Sequence, residues 1–271
     1  MLSLRQVDGW PVGNAAAAVV ADTGQLVGSH GDLDRVFRLA SVTKLITAYA
    51  ALVAITEGVA DLDDAAGPPG ATIRHLLAHA SGLTIDSDQV VAPPGTRRIY
   101  SNAGFDIVAR TLAQRSGIPF RDYVVDGVLT PLGMASTTFG GSPASGAESS
   151  AADLSRFVAE LQRPTLIDST TMAQARQVAF PGLRGVLPGF GRQEPNDWGL
   201  GFEIRDRKSP HWTGSASSPE TFGHFGQSGT FLWVDPQLGA ACVVLTDRAF
   251  GEWAVSAWPV LTDAVIAELG G

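Results

Sequence analysis

Apolar residues in this chain come first in short runs, then at helical spacing, then in short runs again. Segments 15–21 and 36–39 are brief apolar stretches bounded by turn residues such as Asp22-Thr23-Gly24, a pattern that predicts strands joined by a hairpin turn. A helix is expected over 42–57, closed by Gly58, with apolar residues all round it as in a helix packed on every side. Spacings of three and four then predict helices over 73–80, 102–116, 120–129 and 151–163, separated by stretches rich in Gly, Pro and Ser. From Trp198 onward the short runs return. Strands are expected over 201–204, 230–234 and 240–246, with the turn Asp235-Pro236-Gln237-Leu238-Gly239 between the last two, and a closing helix over 252–269.

Strand, helix, helical stretch and then consecutive strands joined by a tight turn predict an α+β fold: an antiparallel sheet flanked by helices, with a helical lobe inserted between its halves. The expectation is a single domain over 1–271, with a mixed sheet lobe at about 1–60 and 180–271 and a helical lobe at about 61–179. A chain of 271 residues, 45% of them hydrophobic, is long enough to bury a substantial core around such a sheet. The longest apolar run, 45–55, falls short of the roughly 20 residues a membrane-crossing helix needs, so no membrane span is expected.

Charge narrows the function. A formal net charge of -8 with few clusters of Lys and Arg argues against a nucleic-acid surface, which relies on grouped cations. Cys242 is the only cysteine and lies in an apolar run, which excludes an intrachain disulfide and predicts a buried core thiol. The polar N-terminus lacks the basic start and apolar stretch of a secretory signal, so the expected location is cytoplasmic.

Three short motifs carry chemistry. Ser41-Val42-Thr43-Lys44 places a hydroxyl and an amine on one face of a helix, close enough to share a proton. Burial and the positive end of the helix dipole would both lower the pKa of Lys44 toward that of a working base, while the Ser41 amide stays free to bind an oxyanion. Alone, such a pair is a weak signal. Tyr100-Ser101-Asn102 follows a Gly/Pro loop and precedes a helix; a Tyr beside a lysine can relay protons, and an Asn can hold the lysine or a substrate amide. At His224-Phe225-Gly226 a strand is expected to begin, Gly226 leaving room for a substrate at the strand edge and the Gln227 amide placed as a second oxyanion donor.

In this order, Ser-x-x-Lys, Tyr-x-Asn and His-x-Gly resemble the three motifs of the serine beta-lactamase and penicillin-binding-protein superfamily. The His in the third motif is similar to the branch with D-aminopeptidases, D-Ala-D-Ala carboxypeptidases and beta-lactamase-like esterases, whereas many members carry Lys-Thr-Gly there. His75-Leu76-Leu77-Ala78-His79-Ala80-Ser81-Gly82-Leu83, Pro94-Gly95 and Phe231-Leu232-Trp233-Val234-Asp235-Pro236 also resemble that branch. The resemblance implies a beta-lactamase/transpeptidase-like fold with Ser41 as nucleophile, Lys44 and Tyr100 as the proton-transfer pair, and Asn102 and His224 as substrate and network residues. It also implies Gly226 as the strand-edge gap and the Ser41 and Gln227 amides as the oxyanion hole, with no metal and no organic cofactor. The chain is shorter than most such relatives, so the rim loops that set selectivity are expected to be trimmed.

The resulting expectation is a serine hydrolase that acts through an acyl-enzyme on a small ester, with a β-lactam or an amide as further small-molecule substrates. Two alternatives stand beside it: a D-amino-acid-specific peptidase or carboxypeptidase, and a non-catalytic ligand-sensing module of the same fold. His75 and His79 have the spacing of a metal-binding pair but lack the intervening Glu of a zincin motif. His211-Trp212-Thr213-Gly214 offers a second version of the third motif but stands further from Trp233-Val234-Asp235-Pro236. The carboxylates Asp63, Asp64, Asp86 and Asp88 are expected to face solvent, and Trp212, Trp233 and Trp253 are candidates for shaping a pocket. No Gly-x-Ser-x-Gly elbow is present.

Overall fold

A computed structural model describes residues 1–270. The apolar run expected as the first strand forms β1 (Ala15–Ala21), which turns into β2 (Leu26–Gly31). There follow β3 (Val36–Arg38), a 3-10 turn at Ala40–Val42, and the helices α1 (Thr43–Thr56), α2 (Ile73–Leu77), α3 (Asn102–Ser116) and α4 (Phe120–Val124). Next come β4 (Thr138–Phe139), β5 (Ala147–Ser150), α5 (Ala151–Gln162), α6 (Ser169–Ala175), β6 (Gly185–Leu187) and β7 (Gly191–Gln193). The chain ends with β8 (Glu203–Ile204), β9 (Phe222–Gly226), β10 (Thr230–Asp235), β11 (Ala240–Thr246) and α7 (Glu252–Gly270).

The main sheet has six antiparallel strands in the order β2-β1-β11-β10-β9-β8, so the first and last strands of the chain are neighbours. Alternate residues serve opposite faces. Ala16, Ala18 and Val20 join Ala241, Val243 and Leu245 in a core with α1 and α5, while Ala17, Val19, Cys242 and Val244 pack against Trp258, Leu261 and Val265 of α7. Both faces are therefore covered, which is why β1, β10 and β11 read as continuous apolar runs rather than as an alternation. Cys242 is a buried free thiol whose pKa burial pushes up.

The α+β architecture follows the residue pattern, and the deviations have local causes. The strand expected at 36–39 does not join the main sheet. Only Phe37 of β3 is buried, so the strand pairs with β5, itself paired with β4, in a separate three-stranded sheet. The helix expected over 73–80 stops at Leu77 because the chain leaves helical geometry and His79 takes a φ of +54°. The segment 120–129 divides into α4 and a wider π turn, and the strand expected from 201 shrinks to β8 because Gly201, at a φ of +86°, turns the chain there. Helix α5, expected within the helical lobe, instead lays Leu154, Phe157, Val158 and Leu161 into the core shared with β1, β10 and β11. Strands β4, β6 and β7 are two or three residues long, too short to carry a readable period. Among the described residues no helix is long and apolar enough to cross a membrane.

Candidate active site

Ser41 sits in the 3-10 turn that leads into α1, and Lys44 is the second residue of that helix. The turn is strained: Ala40, one residue before Ser41, holds a φ of +45°. What keeps it there is the end of β9. A Cβ on Gly226 would lie 2.2 Å from the Leu39 carbonyl oxygen and 3.2 Å from the Ala40 Cβ, so only glycine lets the strand approach. The Thr230 hydroxyl donates to the same Leu39 oxygen at 3.0 Å. The space at Gly226, expected to admit a substrate, is thus filled by the turn that carries Ser41.

Lys44 is fully buried. Its Nζ donates to Asn102 Oδ1 at 2.6 Å, to the Ala144 carbonyl at 2.9 Å and toward Ser41 Oγ at 3.3 Å. All three partners are neutral. Desolvation therefore lowers the ammonium pKa from its ordinary value to about 7, against the raising effect of Asp106 and Asp86. Asn102 starts α3 and holds the lysine, while its Nδ2 donates to Asp86 Oδ1 at 2.7 Å. Asp86 is exposed as expected, yet it is tied to the site through this amide.

The ring of Tyr100 lies beside the lysine, with Nζ 4.7 Å from the ring centroid. The phenol hydroxyl is 3.3 Å from His224 Nε2, and His224 Nδ1 is 2.5 Å from the Phe225 carbonyl. A carbonyl only accepts, so Nδ1 carries the hydrogen and Nε2 is left to accept from Tyr100. Burial drives the imidazole pKa down to about 3, with Lys44 adding to the effect, which keeps His224 neutral. Burial pushes the Tyr100 phenol up, so it keeps its proton across the neutral range.

Behind Tyr100 stand groups whose purpose was illegible in the sequence. His79 Nδ1 accepts the Ser101 amide at 3.1 Å, and its ring stacks on Tyr100 with centroids 4.6 Å apart. Arg98 is buried without a carboxylate partner, its guanidinium donating to the carbonyls of Ala78, Ala179, Phe180 and Asn196. His75, by contrast, bonds Thr72 at the start of α2 and stacks on Phe180, so the two histidines do not converge on a metal.

Ser41, Tyr100, His224 and Gln227 open on one narrow pocket of about 40 Å³, walled by Leu187, Pro188, Trp198 and Phe225. Among the described residues neither the Ser41 nor the Gln227 amide donates to a loop carbonyl or a side chain. Trp198, rather than Trp212, Trp233 or Trp253, is the indole in the wall. Trp212 and Trp233 lie in the α7 core and Trp253 packs on Trp10. Glu203 also reaches the pocket, from a buried cluster in which it accepts from Lys208 Nζ, from His211 Nε2 at 2.9 Å and from Trp212 Nε1 at 3.0 Å. Both lysines of the chain are therefore buried, one beside Ser41 and one behind the pocket wall. His211-Trp212-Thr213-Gly214 belongs to this supporting cluster. Trp198, Leu187, Pro188 and Glu203 stand in no motif, and only the tertiary fold collects them.

Known proteins are similar to this chain. The family model described as Beta-lactamase matches residues 12–265. The crystal structure of a beta-lactamase from Mycobacterium bovis is 56% identical, covers 98% of this chain and 99% of its own, and superposes with a TM-score of 0.97. The D-alanyl-D-alanine-carboxypeptidase/endopeptidase AmpH of Escherichia coli strain K12 is 30% identical over 148 residues, or 41% of this chain. The matched part spans 38% of that protein's length. EstCE1, a hydrolase with promiscuous acyltransferase activity, shares the fold at a TM-score of 0.81 with 19% identity, covering 98% of this chain and 96% of its own.

Proposed function

The chain belongs to the beta-lactamase family, and from that premise we propose that it is an esterase that hydrolyses small esters through an acyl-enzyme on Ser41. The observation that carries this reading is the buried Lys44, held at about pKa 7 by desolvation and 3.3 Å from Ser41 Oγ, beside a narrow apolar pocket. An amine that is half neutral near pH 7 takes the Ser41 proton as Oγ attacks the carbonyl. The Ser41 and Gln227 amides receive the charge that develops on the carbonyl oxygen. Tyr100, still protonated and oriented by His224, passes a proton to the departing alkoxide. Water then attacks the acyl-enzyme along the same path in reverse. The narrowness of the pocket at Ser41 favours a short acyl group.

A β-lactam is the second reading, favoured by 56% identity with a structure described as a beta-lactamase. Intact mass after exposure to a phosphonate ester and, separately, to a penicillin, with Ser41→Ala alongside, tests both. A single adduct on the wild type and none on the variant supports the nucleophile, and repeated turnover of acetate esters with only slow release of penicillin supports the esterase. No adduct from either reagent on a folded protein would overturn the proposal and leave a ligand-sensing module in its place.

A further inference from the structure

Beside the narrow pocket runs a second, wider depression of about 560 Å³, and Tyr100 and Pro188 line both. Its floor and rim carry Ile85, Val91 and Val186, which are 52%, 50% and 60% exposed, together with the exposed Arg97, Arg184 and Arg192. The backbone brings the segments carrying Arg97 and Arg184 together, since the amide of Arg98, next to Arg97, donates to the Arg184 carbonyl at 3.0 Å where the segment bridges to Gly185. No lining residue is acidic. Among the described residues Arg97, Arg184 and Arg192 have no carboxylate partner within 4 Å. In a chain with a net charge of -8, three guanidiniums grouped around exposed apolar side chains, with no acidic group among the lining residues, form a cationic patch that complements an anion with an apolar body.

Resting on the esterase reading, we propose that this groove binds the leaving-group half of the substrate and that this half ends in a carboxylate. The narrow pocket takes the short acyl group at Ser41, and the larger groove takes the larger fragment. Apolar atoms of that fragment lie on Ile85, Val91 and Val186, and its carboxylate meets the planar donor forks of Arg97, Arg184 and Arg192. The substrate class is therefore a short-chain ester of a hydroxy acid, in which an apolar or aromatic spacer separates the ester from the acid.

The test compares 4-acetoxybenzoate with its methyl ester, two substrates that differ in one charge. The expected result is a preference for the free acid in kcat/KM. The acid-to-methyl-ester ratio should fall about tenfold or more in Arg184→Gln/Arg192→Gln, as expected for loss of charge-assisted hydrogen bonds. Arg184→Lys/Arg192→Lys should keep part of the preference, and added salt should shrink it in the wild type. A ratio near one in the wild type, or a ratio unmoved in the double variant, overturns the groove assignment while leaving the esterase intact. If neither ester is turned over, the esterase reading fails, and the groove is judged on its own by titration calorimetry with the unreactive 4-acetamidobenzoate against its methyl ester. Tighter binding of the acid, lost in Arg184→Gln/Arg192→Gln, upholds the groove, and equal binding rejects it.

Discussion

At Lys44 burial and charge act in opposite directions. Desolvation favours the neutral amine, and Asp106 and Asp86 favour the ammonium, with the balance at about 7. In the proposed mechanism the neutral form is the base, so kcat/KM should rise with pH along a limb centred near pH 7, measured on an ester at constant ionic strength. His224, at about 3, titrates too low to produce that limb. Asp106→Asn removes a group that raises the lysine pKa, so the limb should move to lower pH; an unmoved limb would assign it elsewhere. Lys44→Met should lower the acylation rate about 10²- to 10⁴-fold, the range for loss of a general base.

At the scale of elements, the site is a meeting of three: the turn before α1, the start of α3 and the end of β9. Each is held by contacts that are sterically demanding. Gly226→Ala would drive a methyl into the Leu39 carbonyl at 2.2 Å, forcing β9 and the nucleophile turn apart. Overpacking of this kind costs about 1–3 kcal/mol. Urea unfolding should register that loss, and the acylation rate should fall with it, because the Ser41 and Gln227 amides lie on the two elements that separate. Unchanged acylation in a destabilised variant would mean that the glycine serves packing alone.

Across the whole molecule, a second buried lysine braces the pocket wall. Lys208 donates to Glu203, to the Asp197 carbonyl and to the Ile204 carbonyl, and Glu203 also receives His211 and Trp212. Burial would raise the Glu203 pKa, but His211 and Lys208 outweigh it and hold the carboxyl at about 2. A depressed acid contributes stability above its ordinary value of 4.5 that is lost as pH falls toward 2. Glu203→Gln leaves Lys208 buried without its counter-charge and should cost about 3–5 kcal/mol in urea unfolding at neutral pH. Its stability should also depend less on pH between 4.5 and 2 than that of the wild type.

Local pattern was enough for β1, β11, α3 and the nearly complete α1, because each is set by its own run of apolar residues and its own end signals. Examples are the Ser101 hydroxyl that accepts from Gly104 N and the Gly117 that closes α3. The three-residue spacing likewise placed Ser41 near Lys44, although the structure sets Ser41 in a 3-10 turn ahead of α1 that the end of β9 holds in place. Strand β3 had the right composition but the wrong partner, because sheet membership depends on which strand lies alongside and not on the strand itself. The same holds for Trp198, Leu187, Glu203 and the arginines at 97, 184 and 192. Apart from Arg97, three residues before Tyr100, they are far from the motifs in sequence and reach them only when β6, β8 and β9 are brought against the start of α3. Even the chemistry of Lys44 divides this way. Its sequence supplies the amine beside the serine, but the pKa near 7 exists only because folding closes Asn102, Ala144 and Phe105 over it and removes the water that would keep it charged.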